Sequence, residues 1–252
     1  MDRLTDPFAR GVPLGLDIET DGLSVRHNNV IVITLSDGVD AKVFDVRKRK
    51  KQEIAAWLSA VYRSHPIIVH HAAFDLTMLQ HHYGIGYPSA VWDTMIAEQL
   101  LTAGKVGPDA SVSLSATAYR RCRITVDKDE DVRLGFSATS VITPDMEAYA
   151  AKDAMILPDI CEAQREELRL LGMMKVANLE MAAIPVFSDM HEVGIRVDTD
   201  TMQSLLYDAR KEVEDLQRSL TVLLTTYSGI YHKRRNQESE DVLRRWQQRL
   251  DD

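Results

Sequence analysis

The sequence predicts a mixed α/β domain followed by a helical extension. Three observations predict it. Short runs rich in β-branched residues alternate with segments of helical spacing from Pro13 onward. Asp37-Gly38, Thr143-Pro144 and Gly172 punctuate them with turn, start and stop signals. Beyond Gly172 only long helical patterns remain.

Taken in order, residues 13–19 form a short apolar run ending in acids, and residues 30–36, VIVITLS, read as a strand. Residues 41–45 pair with them across the Asp37-Gly38 turn as a hairpin. A helix over 48–62 places Ile54, Trp57, Leu58 and Val61 on one face. Residues 66–70, PIIVH, read as a buried strand that leads straight into a helix from Ala73 to His82. A short strand at 91–93 precedes a helix at 94–101, and Gly104, Gly107 and Pro108 make 102–110 a loop. Residues 124–142 are charged and irregular. One long helix is expected from Thr143-Pro144, with Asp145 and Glu147 at its positive end, to about Leu171. Two further helices are expected at 174–193 and 199–226, then a polar tail with weak helical spacing from Val242 to Leu250. The domain boundary falls near residue 172, giving an α/β domain over 1–172 and an extension over 173–252.

A chain of 252 residues with 45% hydrophobic and 27% charged residues has an ordinary globular composition. No apolar run reaches membrane-spanning length, and MDRLTDPFARG lacks the apolar stretch of a secretory signal. A cytoplasmic place is expected, with no membrane partner. The two cysteines, Cys122 and Cys161, are far apart and in no zinc-like spacing. A net charge of −8 opposes binding of phosphates by charge alone, although basic residues cluster at Arg47–Lys51, Arg120–Arg123 and Lys233–Arg235.

Three acidic stretches carry the functional signal. In GLDIETDGL, Asp17 and Glu19 are two apart on a strand and so share a face, where two carboxylates repel unless a cation lies between them. Asp75 in VHHAAFDLTML sits in the first turn of a helix. In Tyr149-Ala150-Ala151-Lys152-Asp153 the phenol and the carboxylate are four apart on one helix face. Taken singly, each has a bland explanation: an exposed strand edge, an acid favoured by a helix start, a core tyrosine beside a surface acid.

Together, in order and context, they resemble the three motifs of the DEDD 3′→5′ exonucleases, and the tyrosine version resembles the subgroup that contains polymerase proofreading domains. Trp92-Asp93-Thr94-Met95 resembles a segment between the second and third motifs of family A DNA polymerases. Residues 178–198, with Met190, Gly194, Ile195 and Asp198, resemble the join between exonuclease and polymerase there. The resemblance covers about residues 12–200 and implies a ribonuclease H-like exonuclease fold, with a mixed central sheet flanked by helices. It departs at His71, where the family usually has an Asn that holds the 3′-terminal nucleotide, and at His191, where an acid is common.

The resemblance implies two Mg²⁺ or Mn²⁺ ions held by Asp17, Glu19, Asp75 and Asp153, with Asp17 between them and Tyr149 orienting the attacking water. Oxygen ligands suit such hard cations. It also implies a substrate pocket formed by Thr20, His71 and Phe74, with Leu23 as an apolar wedge. The implied partner is single-stranded DNA or the 3′ end of a primer-template, and a DNA polymerase in cis or in trans. A ribonuclease D-like RNA exonuclease shares the same acids, and an inert exonuclease-fold module is the non-enzymatic alternative. Residues 200–252 hold no polymerase active site. The apolar stripe Leu179, Ala183, Val186, Phe187 and Met190 is expected either to pack on the exonuclease domain or to dock a polymerase.

Overall fold

Val30–Ser36 is aliphatic or hydroxylic at every position, as a strand covered on both faces must be, and it forms the strand next to the site. The structure, a computed structural model, describes residues 4–126, 135–137, 141–231 and 244–248. The chain divides into two compact units, Met1–Gly194 and Ile195–Asp252.

In the first unit β1 (Leu14–Thr20), β2 (Val30–Ser36), β3 (Ala41–Asp45), β4 (Ile67–Val69) and β5 (Val91–Asp93) form one sheet, in the order β3-β2-β1-β4-β5. β1, β2 and β3 are antiparallel neighbours, whereas β4 runs parallel to β1 and β5 parallel to β4. The parallel pairs need crossovers. α1 (Lys51–Ser64) supplies the first, and α2 (Ala72–Tyr83) the second. α3 (Thr94–Leu101), α4 (Leu114–Cys122), α5 (Pro144–Met155), α6 (Leu157–Leu170) and α7 (Met174–Val193) follow. The second unit is dominated by α8 (Thr199–Tyr231).

Strand register assigns the two faces. Phe44, Ile33 and Ile18 lie opposite one another across β3, β2 and β1. α1 covers this face, its Trp57 ring meeting Phe44 edge-on at 4.7 Å. Val43, Thr34 and Asp17 line up on the other face, as do Val32 and Glu19. There α5 packs Met146 and Ala150 against Val32 and Val43.

α5 approaches β1 because Gly15 has no side chain: a Cβ there would lie 2.2 Å from the Ala154 carbonyl oxygen and 3.2 Å from the Leu157 Cβ. Pro158 stands four residues after Ala154 and has no N–H to donate to that oxygen, which takes the Ile156 N–H instead. The single helix expected from 143 to 171 therefore breaks into α5 and α6 around Ile156, with Pro158 in the first turn of α6.

The hairpin, β5 and α3 occupy the residues expected of them. α1 begins at Lys51 rather than 48, because Arg47 folds back on Asp45 and delays the helix. α4 was not expected from sequence; Ser113 caps it by accepting from Ala116 N–H. Most of the irregular 124–142 stretch, and much of the 242–250 tail, lie outside the described residues. The expected packing of the Leu179 stripe is corrected: Leu179, Val186, Phe187 and Met190 are exposed. α7 instead buries Ala177, Met181, Ile184 and Ser188. These have spacings of four, three and four, and two are small residues that allow close approach to its neighbours.

Gly15→Ala is expected to destabilise the first unit by about 2–3 kcal/mol, since backbone must shift to admit the methyl group. Urea denaturation checks this, and a loss below about 0.5 kcal/mol would show that α5 is not held by this approach.

Candidate active site

β1 continues beyond its neighbour. β4 pairs only with Leu14 and Gly15, then turns through His70 and His71 into α2. The end of β1 that carries Asp17 and Glu19 is therefore met by a helix start. Asp75, in the first turn of α2, is 4% exposed, with the Ile18 backbone N–H near enough to favour its charged form. Burial pushes the Asp75 carboxyl well above the usual carboxylate range, and the charges of Asp93 and Glu19 add to this. The same proximity acts on the buried Tyr62 of α1, whose phenol is raised by burial and by the Asp75 charge.

On the opposite side of β1 lies α5. Ala154 sits over Gly15, and Tyr149 packs against the cluster of Val32, the cross-strand neighbour of Glu19. α5 thus runs antiparallel along β1. One helical turn, about 5.4 Å, spans nearly the same distance as two strand residues, about 6.6 Å. Asp153 and Tyr149 fall along the Gly15-Asp17-Glu19 face, and both are half-buried, as is Asp17. Glu19 is buried. The structure therefore sets Asp75 near Glu19 and lays the helix of Tyr149 and Asp153 along the strand of Asp17 and Glu19. Among the described residues, no three His, Cys, Asp or Glu side chains already close into a set that could hold a metal ion. The donor chemistry nevertheless fits a hard cation: the groups are oxygen acids, and the buried member is crowded by negative charge.

The substrate-side residues are positioned by the same two turns. His71 precedes α2 in the left-handed conformation, with φ 82 and ψ 56. Asn, Asp and His enter that region more readily than other non-glycine residues, so His can stand where the related motif has Asn. The His71 ring is exposed and stacks on Phe74, with centroids 6.2 Å apart. Leu23 is 80% exposed on the loop after β1. Thr20 donates its hydroxyl to the Gly22 carbonyl at 2.7 Å, and Asn28 ties the loop by accepting from Ser24 N–H and donating to the Asp21 carbonyl.

Sequence reading gave Asp93 no role of its own. Its carboxylate accepts from the backbone N–H groups of His71 and Ala72 at 3.1 and 2.7 Å, and from those of Met95 and Ile96 at 2.8 and 3.3 Å. One buried side chain thus caps two helix starts and fixes the one that carries Asp75. Burial raises the Asp93 carboxyl above its ordinary value despite those four donors. The signal was available: Asp followed by Thr directly after a strand is a helix-capping pattern.

Three arginines of the basic clusters serve the fold. Arg47 pairs with Asp45. Arg120 and Arg121 both pair with the buried Glu98, which also accepts from Gln164. Burial opposes ionisation of Glu98, but the bonds from Arg121, Gln164 and Arg120 outweigh it and hold the carboxyl below its usual value. Lys233–Arg235 lie outside the described residues.

The 3′–5′ exonuclease family profile matches residues 3–169. The chain belongs to this family. Solved structures of 3′–5′ exonucleases share its fold. Brucella melitensis NrnC bound to pGG matches with TM-score 0.63 and 25% identity, over 73% of this chain and 86% of that one. Escherichia coli RNase D, an exoribonuclease involved in structured RNA processing, matches with TM-score 0.59 and 20% identity, over 71% of this chain and 45% of that one. The Aedes aegypti Nibbler EXO domain matches with TM-score 0.54 and 18% identity, over 68% and 86%. Another NrnC structure carries bound Mg²⁺. No curated protein sequence matches the chain significantly. These neighbours share the ribonuclease H-like exonuclease fold and do not single out polymerase I-like proofreading domains. No helix among the described residues is long and apolar enough to cross a membrane.

Two predictions follow from the acids. Asp75 binds its proton more tightly folded than unfolded, so without metal it lowers stability as pH rises above the unfolded value near 3.8, until the raised folded value is passed. Asp75→Asn removes that penalty. In EDTA at neutral pH the variant is expected to melt higher than the parent, and to lose the extra stability that Mg²⁺ gives the parent. That gain is about 2.7 kcal/mol at a hundredfold excess over Kd. A variant that melts lower in EDTA would contradict the crowding. Asp93→Ala is expected to cost about 1–3 kcal/mol, since buried N–H groups lose their acceptor. Its chemical denaturation midpoint, compared with that of the parent, measures the loss.

Proposed function

We propose that this chain is a divalent-metal-dependent exonuclease that removes nucleoside 5′-monophosphates from the 3′ ends of single-stranded RNA. The observation that carries the reading is the meeting of Asp75, buried and crowded by negative charge, with the acids of β1 beneath α5. Such crowding is stable at neutral pH with a cation among the carboxylates. RNA is favoured because RNase D is an exoribonuclease and NrnC holds pGG in the same fold.

Asp17, Glu19, Asp75 and Asp153 would hold the metal, as two Mg²⁺ or Mn²⁺ ions. When bound, the ions stabilise charge on the attacking and leaving oxygens of the phosphodiester. The protein residues do the positioning. Tyr149, whose unperturbed pKa near 10 makes it a poor base, holds the attacking water by its hydroxyl. His71 and Phe74 present stacked rings to the terminal base, which suits tolerance of sequence. Leu23 stands outward on a tied loop and separates the terminal base from its neighbour. Gly15 lets α5 approach β1, which is what would bring Asp153 near Asp17.

The second reading is proofreading of DNA 3′ ends beside a polymerase, in cis or in trans. It is favoured by the segment around Met190, Gly194, Ile195 and Asp198. There Gly194 ends α7 with φ 72, and Asp198 caps α8 by accepting from the N–H groups of Asp200 and Thr201.

Digestion of 5′-labelled oligonucleotides of matched sequence tests both readings. RNA is expected to be shortened one nucleotide at a time with Mg²⁺ or Mn²⁺, and EDTA to stop it. Faster turnover of DNA would transfer the assignment to the second reading, and inertness on both with either metal would mark a non-catalytic module. Asp17→Asn and Asp153→Asn are each expected to lower kcat by about 10³-fold or more, with melting little changed. Tyr149→Phe is expected to lose less, about 10- to 100-fold.

A further inference from the structure

We propose that α8 pairs with α8 of a second copy of this chain, forming an antiparallel two-stranded coiled coil. Met202, Leu206, Ala209, Val213, Leu216, Leu220, Leu223, Tyr227 and Ile230 follow one another at alternating spacings of four and three. That is a repeat of seven residues carried unbroken along the helix. A straight helix has 3.6 residues per turn, so a stripe with period 3.5 drifts about 20° per heptad. The drift suits another helix that supercoils with it, not a flat domain surface.

The stripe lies bare in the second unit. Met202, Leu206, Val213, Leu216, Leu220 and Leu223 are each 50–62% exposed. Charge is kept off it: Asp208, Lys211, Glu214, Asp215 and Arg218 occupy the other faces. Arg218 is 3.2 Å from Asp215 and 3.7 Å from Glu214 there. At 1.5 Å per residue the 33-residue helix is about 50 Å long. With the positions flanking the seam it offers about 20 residues, the number a stable interface uses on each side.

The order of side chains along the seam selects the occupant. In an antiparallel pair centred between Glu214 and Asp215, Val213 of one copy meets Leu216 of the other, and Leu206 meets Leu223. Ala209 then meets Leu220. The smallest residue of the seam thus faces a large one, which is how a core fills without voids. A parallel pair would set Ala209 against itself and leave a gap in that layer. The flanking positions agree: Arg210 comes beside Gln217 and Glu212 beside Ser219, so no like charges face each other. The helix is complementary to itself reversed, which a seam shaped for an unrelated helix has no reason to be.

Light-scattering mass of the full chain over a dilution series tests the pairing. The parent is expected at twice the chain mass, and Val213→Glu with Leu216→Glu at the single mass with unchanged melting of the first unit. Asp208→Lys, off the seam, is expected to leave the doubled mass intact. Without reductant, Ala209→Cys with Leu220→Cys is expected to give a covalent dimer, and Ala209→Cys alone is not. A parent of single mass at every concentration overturns the proposal, whether the seam is left bare or filled by another part of the chain. So does a dimer that survives the paired glutamates, or cross-linking through Ala209→Cys alone.

Discussion

The site depends on one close approach, that of α5 to β1 at Gly15. Every other strand position on that face carries a side chain, and a Cβ at this one would overlap the Ala154 carbonyl. The approach requires two coincidences of sequence more than a hundred residues apart: a glycine two residues before Asp17, and a proline four residues after Ala154. The proline ends the regular hydrogen-bonding of α5, and the glycine accepts the exposed turn. Asp153 and Tyr149 are carried to the strand acids by backbone contact, so no side chain of their own has to pull them there.

The second constraint is electrostatic, and it works against stability. Asp75 is buried beside Glu19 and within reach of the charge on Asp93, and its carboxyl is correspondingly hard to ionise. Asp93 could have been neutral at no cost to packing. It is an acid because four backbone N–H groups at two helix starts need a strong acceptor. The capping carboxylate that fixes α2 therefore also makes Asp75 more demanding of a cation. Structure-building and the proposed metal affinity are thus tied to the same residue, which accounts for a structural acid so close to Asp75.

The sequence made the strands legible because their burial is two-sided: VIVITLS and PIIVH leave little room for another reading. The paired acids of β1 were legible from strand alternation, and Tyr149 with Asp153 from helix spacing. The break at Ile156 was harder, since a proline in the first turn of a new helix resembles one tolerated in an old helix until the partner strand is known. The outward turn of Leu179, Val186, Phe187 and Met190 was hidden for a different reason. α7 buries its small residues, and large apolar side chains at the same period mimic the face that an isolated helix would bury. Asp93 was hidden because its work is done by backbone groups of two elements that touch only in three dimensions.

The acidic net charge leaves little scope for holding nucleic acid by surface charge, and the placement of three arginines narrows it further. Arg120 and Arg121 are committed to the buried Glu98, and Arg47 to Asp45, so these three lend little free positive charge to a phosphate chain. The proposed function does not need such charge: the substrate would be held by its end, through phosphate at the metal and the stacked His71 and Phe74 rings, and not along the surface. A second nuclease unit brought alongside by the proposed pairing of α8 would add to that hold through a higher local concentration of sites.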